Sequence, residues 1–213
     1  MILAHDLGTT GNKATLVDAD GQLVDAVTEP YPVDFGPGGK AEQNPEDWWD
    51  AVCRASRRLT AVAAERGAVV EGVTFSGQMM GAVPVGRDSR ALRPAMLWAD
   101  PRSVAQSDRI LRNIGLEDAY RITGHRINPT YTLSKIAWLR DNEPDVFART
   151  TRVLLPKDYI VARLTGVQVT DPSDASGTNA YDQAAGTWST EVLDAADVPV
   201  GLLPEIQPST TIA

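Results

Sequence analysis

Ile2-Leu3-Ala4-His5-Asp6-Leu7-Gly8-Thr9-Thr10-Gly11-Asn12-Lys13-Ala14-Thr15-Leu16-Val17, closed by the turn cluster Asp18-Ala19-Asp20-Gly21, opens the chain and decides its fold class. An apolar run delivers a carboxylate, Asp6, to a turn rich in glycine and hydroxyls. Such a turn offers backbone N–H donors to phosphate oxygens, and the Asp can hold a hydrated Mg²⁺ beside them. A dinucleotide fingerprint or P-loop needs a helix directly after the glycines. Here the residues after Gly11 alternate, so the segment reads as strand, turn, strand. Its glycines also match neither G-x-G-x-x-G nor G-x-x-x-x-G-K-[ST]. An ordinary hairpin, with Gly8 and Gly11 serving backbone geometry alone, stands beside the phosphate reading.

Around this hairpin the pattern continues as an α/β unit. Gln22 to Tyr31 reads as a third strand and Pro32 to Lys40 as a Gly/Pro loop. A helix then begins with Asn44 as N-cap, Pro45 in the first position and Glu46 and Asp47 at its positive end. It runs through Trp48, Val52, Ala55, Leu59, Val62 and Ala63 to about Arg66, with Gly67 as stop. Val69 to Ser76 is the next strand, and a return over one helix permits parallel pairing. Ala82–Val85 and Ala95–Trp98 read as a strand-like pair around the turn residues Gly86-Arg87-Asp88-Ser89. Helices follow at about 103–113, 116–122, 133–141 and 158–164, punctuated by Pro144 and Gly166. Leu133, Ile136, Ala137 and Arg140 lie at helix-face spacing, as core contacts would. No linker separates the regions, so the helical part reads as an elaboration of the α/β unit.

The chain has 213 residues, 43% hydrophobic and 23% charged, which suits a globular fold with a sizeable core. A formal charge of -8 argues against a nucleic-acid surface, which needs clustered Lys and Arg. The single cysteine, Cys53, cannot form an internal disulfide and reads as packing in a reducing, cytoplasmic setting. No signal peptide and no run long enough to cross a bilayer is visible, so a membrane association is not expected. His5 and His125 lack metal-ligand spacing. Trp48 and Trp49 are both core candidates, or one marks the interface of a homodimer.

Two further constellations carry chemistry. Gly77-Gln78-Met79-Met80-Gly81 closes the strand that starts at Val69, at the end where α/β sheets present ligands; the alternative for Met79 and Met80 is gap filling in a core. Trp98, Asp100 and Arg102 are spaced two apart, so an extended backbone places all three on one side. An indole covers the apolar face of a sugar, a carboxylate accepts hydroxyl protons and a guanidinium donates several bonds. The alternative is an Asp100–Arg102 pair beside a half-buried Trp.

Taken with Glu42-Gln43-Asn44-Pro45-Glu46-Asp47-Trp48-Trp49, Arg93-Pro94-Ala95-Met96-Leu97-Trp98-Ala99-Asp100-Pro101-Arg102, Leu154-Leu155-Pro156-Lys157-Asp158-Tyr159 and Thr170-Asp171-Pro172-Ser173-Asp174-Ala175-Ser176-Gly177-Thr178, these segments resemble the N-terminal domain of the FGGY carbohydrate kinases, xylulokinase-like branch, over nearly all of residues 1–213. The resemblance implies an actin-like ATPase (ribonuclease H-like) α/β fold with a mixed sheet and an added helical region. It implies ATP-dependent phosphorylation of a xylulose-like ketose, with ATP and Mg²⁺ as cofactors. Asp6 would serve as the catalytic metal-linked carboxylate, with Gly8, Thr9, Thr10, Gly11 and Lys13 at the phosphates. Gln78, Met79, Met80, Trp98, Asp100 and Arg102 would meet the sugar. Asp171, Asp174 and Thr178 resemble a turn that orders the cleft, although local capping explains them as well. The general-base Asp and the adenosine-binding segment are expected beyond Ala213, so these residues alone are expected to be inactive. Relatives commonly place a histidine at the position of Met80, and a thioether cannot donate as imidazole does. Another ketose, polyol or sugar acid therefore stays open as substrate, as does a non-catalytic sugar-binding or regulatory module.

Overall fold

A computed structural model describes all 213 residues. Three strands come first: β1 (Ile2–Leu7), β2 (Gly11–Val17) and β3 (Leu23–Pro30). Two short strands follow, β4 (Asp34–Phe35) and β5 (Ala41–Gln43), before α1 (Pro45–Glu65) and β6 (Gly72–Gly77). The remainder runs β7 (Val83–Val85), β8 (Ala95–Met96), α2 (Val104–Ile114), α3 (Leu116–Thr123), α4 (Thr132–Asn142), α5 (Pro144–Arg149), β9 (Arg152–Leu154), α6 (Pro156–Thr165), β10 (Val169–Thr170), α7 (Pro172–Ser176), β11 (Tyr181–Asp182), β12 (Thr187–Trp188), α8 (Thr190–Ala196) and β13 (Glu205–Ile206). The chain divides into two compact units, one built from residues 1–33 and 44–78, the other from 34–43 and 79–213.

The first unit is a four-stranded mixed sheet in the order β3-β2-β1-β6 with α1 on one face. β1 and β2 form the expected antiparallel hairpin, and β6 lies parallel to β1 after the return over α1. Alternation explains the layering: Leu3, Ala14, Leu16 and Val27 point to one face and meet Ala55, Leu59 and Ala63 of α1. Each large aliphatic side chain buried there contributes roughly 1.5–3 kcal/mol. The start of α1 is as read from the sequence, with the Asn44 side chain accepting from the Glu46 N–H at 3.2 Å and Pro45 leading the helix. It ends where Gly67 takes a left-handed backbone, φ +67°. The last strand starts at Gly72 rather than Val69, because residues 68–71 are spent leaving the helix stop.

In the second unit the regular elements are shorter, and here the sequence expectations need correction. The Pro32–Lys40 stretch is not wholly loop: it holds β4 and a 3₁₀ turn at Pro37–Gly39. β7 and β8 do not form a hairpin. β7 pairs with β9 and β8 with β5, and between themselves they share only the bridge Ala82–Met96. Non-local partners won because two- and three-residue strands gain more from a long-range ladder in the core than from the Gly86–Ser89 turn between them. The four expected helices are present as α2, α3, α4 and α6, whereas α5, α7 and α8 were not anticipated. Ile110, Ile122, Leu133, Ile136, Val153 and Leu193 anchor this unit's core. α4 is buried nearly all round, from Thr132 to Ala137 and again at Leu139.

Candidate functional site

The hairpin tip is built by register. Leu7 pairs with Asn12 and Asp6 with Lys13, leaving Gly8-Thr9-Thr10 as the turn, closed by the Gly8 N–H to the Gly11 carbonyl at 3.0 Å. Tyr31 pins it from below: its hydroxyl donates to the Gly8 carbonyl at 2.6 Å and its N–H to the Thr10 carbonyl at 3.3 Å. Burial, and then the negative charge of Asp6, push the Tyr31 hydroxyl above the ordinary tyrosine pKa, so it stays a donor. Gly11 has a geometric reason of its own. A Cβ there would lie 3.0 Å from the Glu29 carbonyl oxygen and 3.2 Å from the Pro30 Cα, so β3 could not pack as it does.

Asp6 and Lys13 are exposed on the sheet face opposite α1. Ser76 sits across from Asp6 in the parallel ladder. Together with Ala4, Thr15 and Thr74 these side chains line a shallow cavity of about 290 Å³. Its wall therefore carries a carboxylate, an ammonium and three hydroxyls. On the other face His5 is buried in a polar pair: the Asn12 amide donates to His5 Nδ1 at 3.0 Å, and His5 Nε2 reaches Ser56 Oγ on α1 at 3.1 Å. Burial lowers the His5 pKa despite the Asn12 bond, which fits a neutral ring tying β1 and β2 together directly beside Asp6.

Gln78 continues the β6 pairing through its N–H to the Leu7 carbonyl at 2.8 Å. Met79, Met80 and Gly81 then open the second unit as a bend, with Met80 in the left-handed region at φ +63°. That conformation is uncommon for a side chain of this size. Four neighbours hold the bend. The Lys135 ammonium donates to the Met80 carbonyl at 3.0 Å, and Thr132 Oγ1 donates to the Gly81 carbonyl at 3.1 Å. Gly81 and Gly177 are close enough to Pro156 and to Met79 that a Cβ on either would come within 3.0 Å.

Trp98, Asp100 and Arg102 do not share one extended side. The chain turns after β8, with the Asp100 N–H bonded to the Leu97 carbonyl at 3.0 Å. Trp98 stays 47% exposed while Asp100 is fully buried. Both Asp100 oxygens are occupied: Oδ1 accepts from the Arg102 N–H at 3.0 Å and Nε at 2.9 Å, and Oδ2 accepts from the Ala41 N–H at 3.0 Å and Arg102 Nη2 at 2.6 Å. Burial alone would raise this carboxyl, yet the Arg102 guanidinium and the two N–H donors outweigh it and hold its pKa below the usual range. Arg102 also binds Glu42 and stacks on Trp138, 4.8 Å from the ring centroid. Glu42 in turn binds Arg93, whose other side meets Glu143 at 3.0 Å. Asp100 thus fixes Arg102, and the accessible groups are Trp98 and the rim of Arg102.

Asp171 caps α7 by accepting from the Asp174 N–H at 3.0 Å, the local role that turn chemistry allows. Asp171 and Asp174 also converge with Asp158 on Lys157, at 3.3, 3.2 and 2.7 Å. Burial pushes Asp158 up against the pull of Lys157, so the cluster ties α6 to α7 at low net charge. Tyr31, Glu42, Lys135 and Trp138 are the functional-site neighbours that sequence reasoning did not single out. The one available signal for Lys135 was its place between the core candidates Leu133 and Ile136.

Comparison with known proteins gives a consistent answer. Residues 1–213 match the N-terminal domain of the FGGY family of carbohydrate kinases. The xylulose kinase of Lactococcus lactis is 36% identical over 98% of this chain and 42% of its own length, and that of Escherichia coli is 35% identical over 100% and 43%. The crystal structure of a xyloylose kinase from Brucella ovis superposes with a TM-score of 0.90 at 36% identity, covering 96% of this chain and 42% of that one. The chain therefore spans about two fifths of the length of the relatives it matches.

Proposed function

The chain belongs to the FGGY family of carbohydrate kinases, and from that premise we propose that the full-length protein transfers the γ-phosphoryl group of ATP to a hydroxyl of a xylulose-like ketose. The observation that carries this reading is the exposed Asp6, flanked in register by Lys13 and Ser76 beside the Gly8–Gly11 turn. The donor set fits Mg²⁺, which favours carboxylate and hydroxyl oxygens and keeps several waters. When bound, the ion would neutralise charge on the phosphates.

The chain's own residues supply position and charge. Asp6 would hold the hydrated metal, Lys13 adds positive charge, and the turn amides and the hydroxyls of Thr9 and Thr10 donate hydrogen bonds to the phosphate oxygens. Phosphoryl transfer demands mainly such positioning and electrostatic stabilisation. For the sugar, Trp98 offers an exposed indole face and Arg102 a guanidinium pre-oriented by Asp100, Glu42 and Trp138. Asp100 then acts through Arg102 rather than by touching the substrate. Gln78, Met79 and Met80 form the remaining sugar contacts. We assign the base that deprotonates the attacking hydroxyl, and the adenosine site, to sequence after Ala213.

Sugar-dependent ADP release by the full-length protein, measured over ketoses, polyols and sugar acids, tests this. We expect a ketose to be the preferred substrate and Asp6→Ala to abolish turnover while the melting temperature stays near wild type. Wild-type turnover in Asp6→Ala would sink the role given to that carboxylate. Absence of release with every sugar would favour a non-catalytic sugar-binding module.

A further inference from the structure

Lys135 lies in the first turn of α4 and is completely buried. Both placements oppose a positive charge, since burial removes its hydration and a helix N-terminus is itself positive. No carboxylate touches the ammonium. Its partners are two backbone carbonyls, of Met80 and of Thr130. Asp100 supplies the nearby negative charge, but its own oxygens are committed to Arg102 and Ala41. A group retained against two opposing effects, with only carbonyls for partners, is explained best by what those carbonyls do.

The Met80 carbonyl belongs to a residue held at φ +63°, where a residue of this size stays only if its surroundings over-determine it. Thr132, one turn-edge earlier on the same helix, holds the next carbonyl, that of Gly81. Thr130 belongs to the segment leading into α4, whose other groups are also fixed: the Asn128 side chain accepts from the Thr130 N–H at 2.9 Å, and Ser103 Oγ donates to the Pro129 carbonyl at 2.6 Å. One ammonium, with three donors on a single centre, can join both segments, which a single hydroxyl cannot do.

We propose that Lys135 is a positioning residue for sugar binding, holding the Met79–Gly81 bend in its left-handed form by bonding the Met80 carbonyl while bracing it on the Thr130 segment. The inference rests on the reading of this chain as the sugar-binding part of a kinase, and deepens it by naming what shapes the bend. Burial pulls the Lys135 pKa down to about 7, so at neutral pH it is part neutral, and a neutral amine still donates to both carbonyls.

The test uses Lys135→Met and Lys135→Gln in the full-length kinase. Lys135→Met is expected to raise the KM for the sugar by about tenfold or more, with kcat and the KM for ATP within about twofold of wild type. Lys135→Gln keeps an N–H donor and is expected to raise it by a smaller factor. A crystal structure of Lys135→Met should show Met80 out of the left-handed region. An unchanged sugar KM in both variants, or equal changes in the KM for ATP and for sugar, overturns the proposal. So does a Met80 that keeps its positive φ without the ammonium. If Lys135→Met does not fold, Lys135→Gln decides on the same criteria. If the wild type phosphorylates no sugar, the kinase reading fails and the Met80 conformation alone judges the role of Lys135.

Discussion

Burying the Lys135 amine should leave a signature in how stability depends on pH. The pKa falls from 10.5 in an unfolded chain to about 7 in the folded one, with burial as the cause and the charge of Asp100 in partial opposition. Between those values the unfolded state binds a proton that the folded state does not, so stability rises with pH across the window and the penalty is complete below pH 7. Linkage with these two values gives a gain of about 2.5 kcal/mol between about pH 7.5 and about pH 9.5, close to the limit of 1.36 kcal/mol per unit for one group. Lys135→Met removes this term. It also strands the Met80 and Thr130 carbonyls, but that cost does not depend on pH and shifts the curve without tilting it. Tyr31 and Lys157 have raised folded pKa values and titrate above the window, and Asp158 is pushed up by burial in both proteins alike. Urea unfolding of wild type and Lys135→Met at three pH values isolates the slope. We expect the stability difference to shift in favour of wild type by about 2 kcal/mol or more over this range. A difference constant to within about 0.3 kcal/mol would show that Lys135 is not desolvated as described.

Three other substitutions test separate parts of the argument. Gly11→Ala forces a Cβ against Glu29 and Pro30 and should cost about 1–3 kcal/mol in denaturant unfolding; a neutral effect would mean that β3 approaches less closely. Glu42→Gln removes the carboxylate shared by the half-buried Arg93 and Arg102, which keep Glu143 and Asp100, and should cost about 1–3 kcal/mol, whereas a loss below about 0.5 kcal/mol would show the network to be dispensable. Met80→His places a residue type more tolerant of the left-handed region, and able to donate, at the bend. It should raise kcat/KM for D-xylulose by about tenfold, worth 1.4 kcal/mol, and an unchanged ratio would remove residue 80 from sugar recognition.

The first unit was legible because its signals are local and repeated. Alternation in β1 and β2, the turn cluster at 18–21, and the Asn44-Pro45 start with its Gly67 stop each name an element without help from distant sequence. The second unit resisted for the opposite reason. β7 finds its partner about seventy residues later in β9, and strands of two or three residues are too short for a period to show. Spacing placed Trp98, Asp100 and Arg102 on one side, but that inference assumed an extended backbone and the Leu97–Asp100 turn breaks it. Asp6 stood out because an apolar strand delivers it to a turn rich in glycine and hydroxyls. Lys135 did not, because its significance lies in two carbonyls and carbonyls carry no sequence identity.

Residues 34–43 are made before α1 and β6, yet they belong to the unit assembled from 79 onward. β5 therefore waits, during synthesis, for β8 to emerge some fifty residues later before its ladder can close. Until then β5 has only the two-residue β4 to pair with, and the Glu42 carboxylate has neither arginine. A nascent chain stalled between α1 and β8 would hold this short strand without its β8 partner. The same interleaving means that a cut after Gln78 does not release either unit whole: one loses its opening strands and the other keeps ten residues that it cannot use.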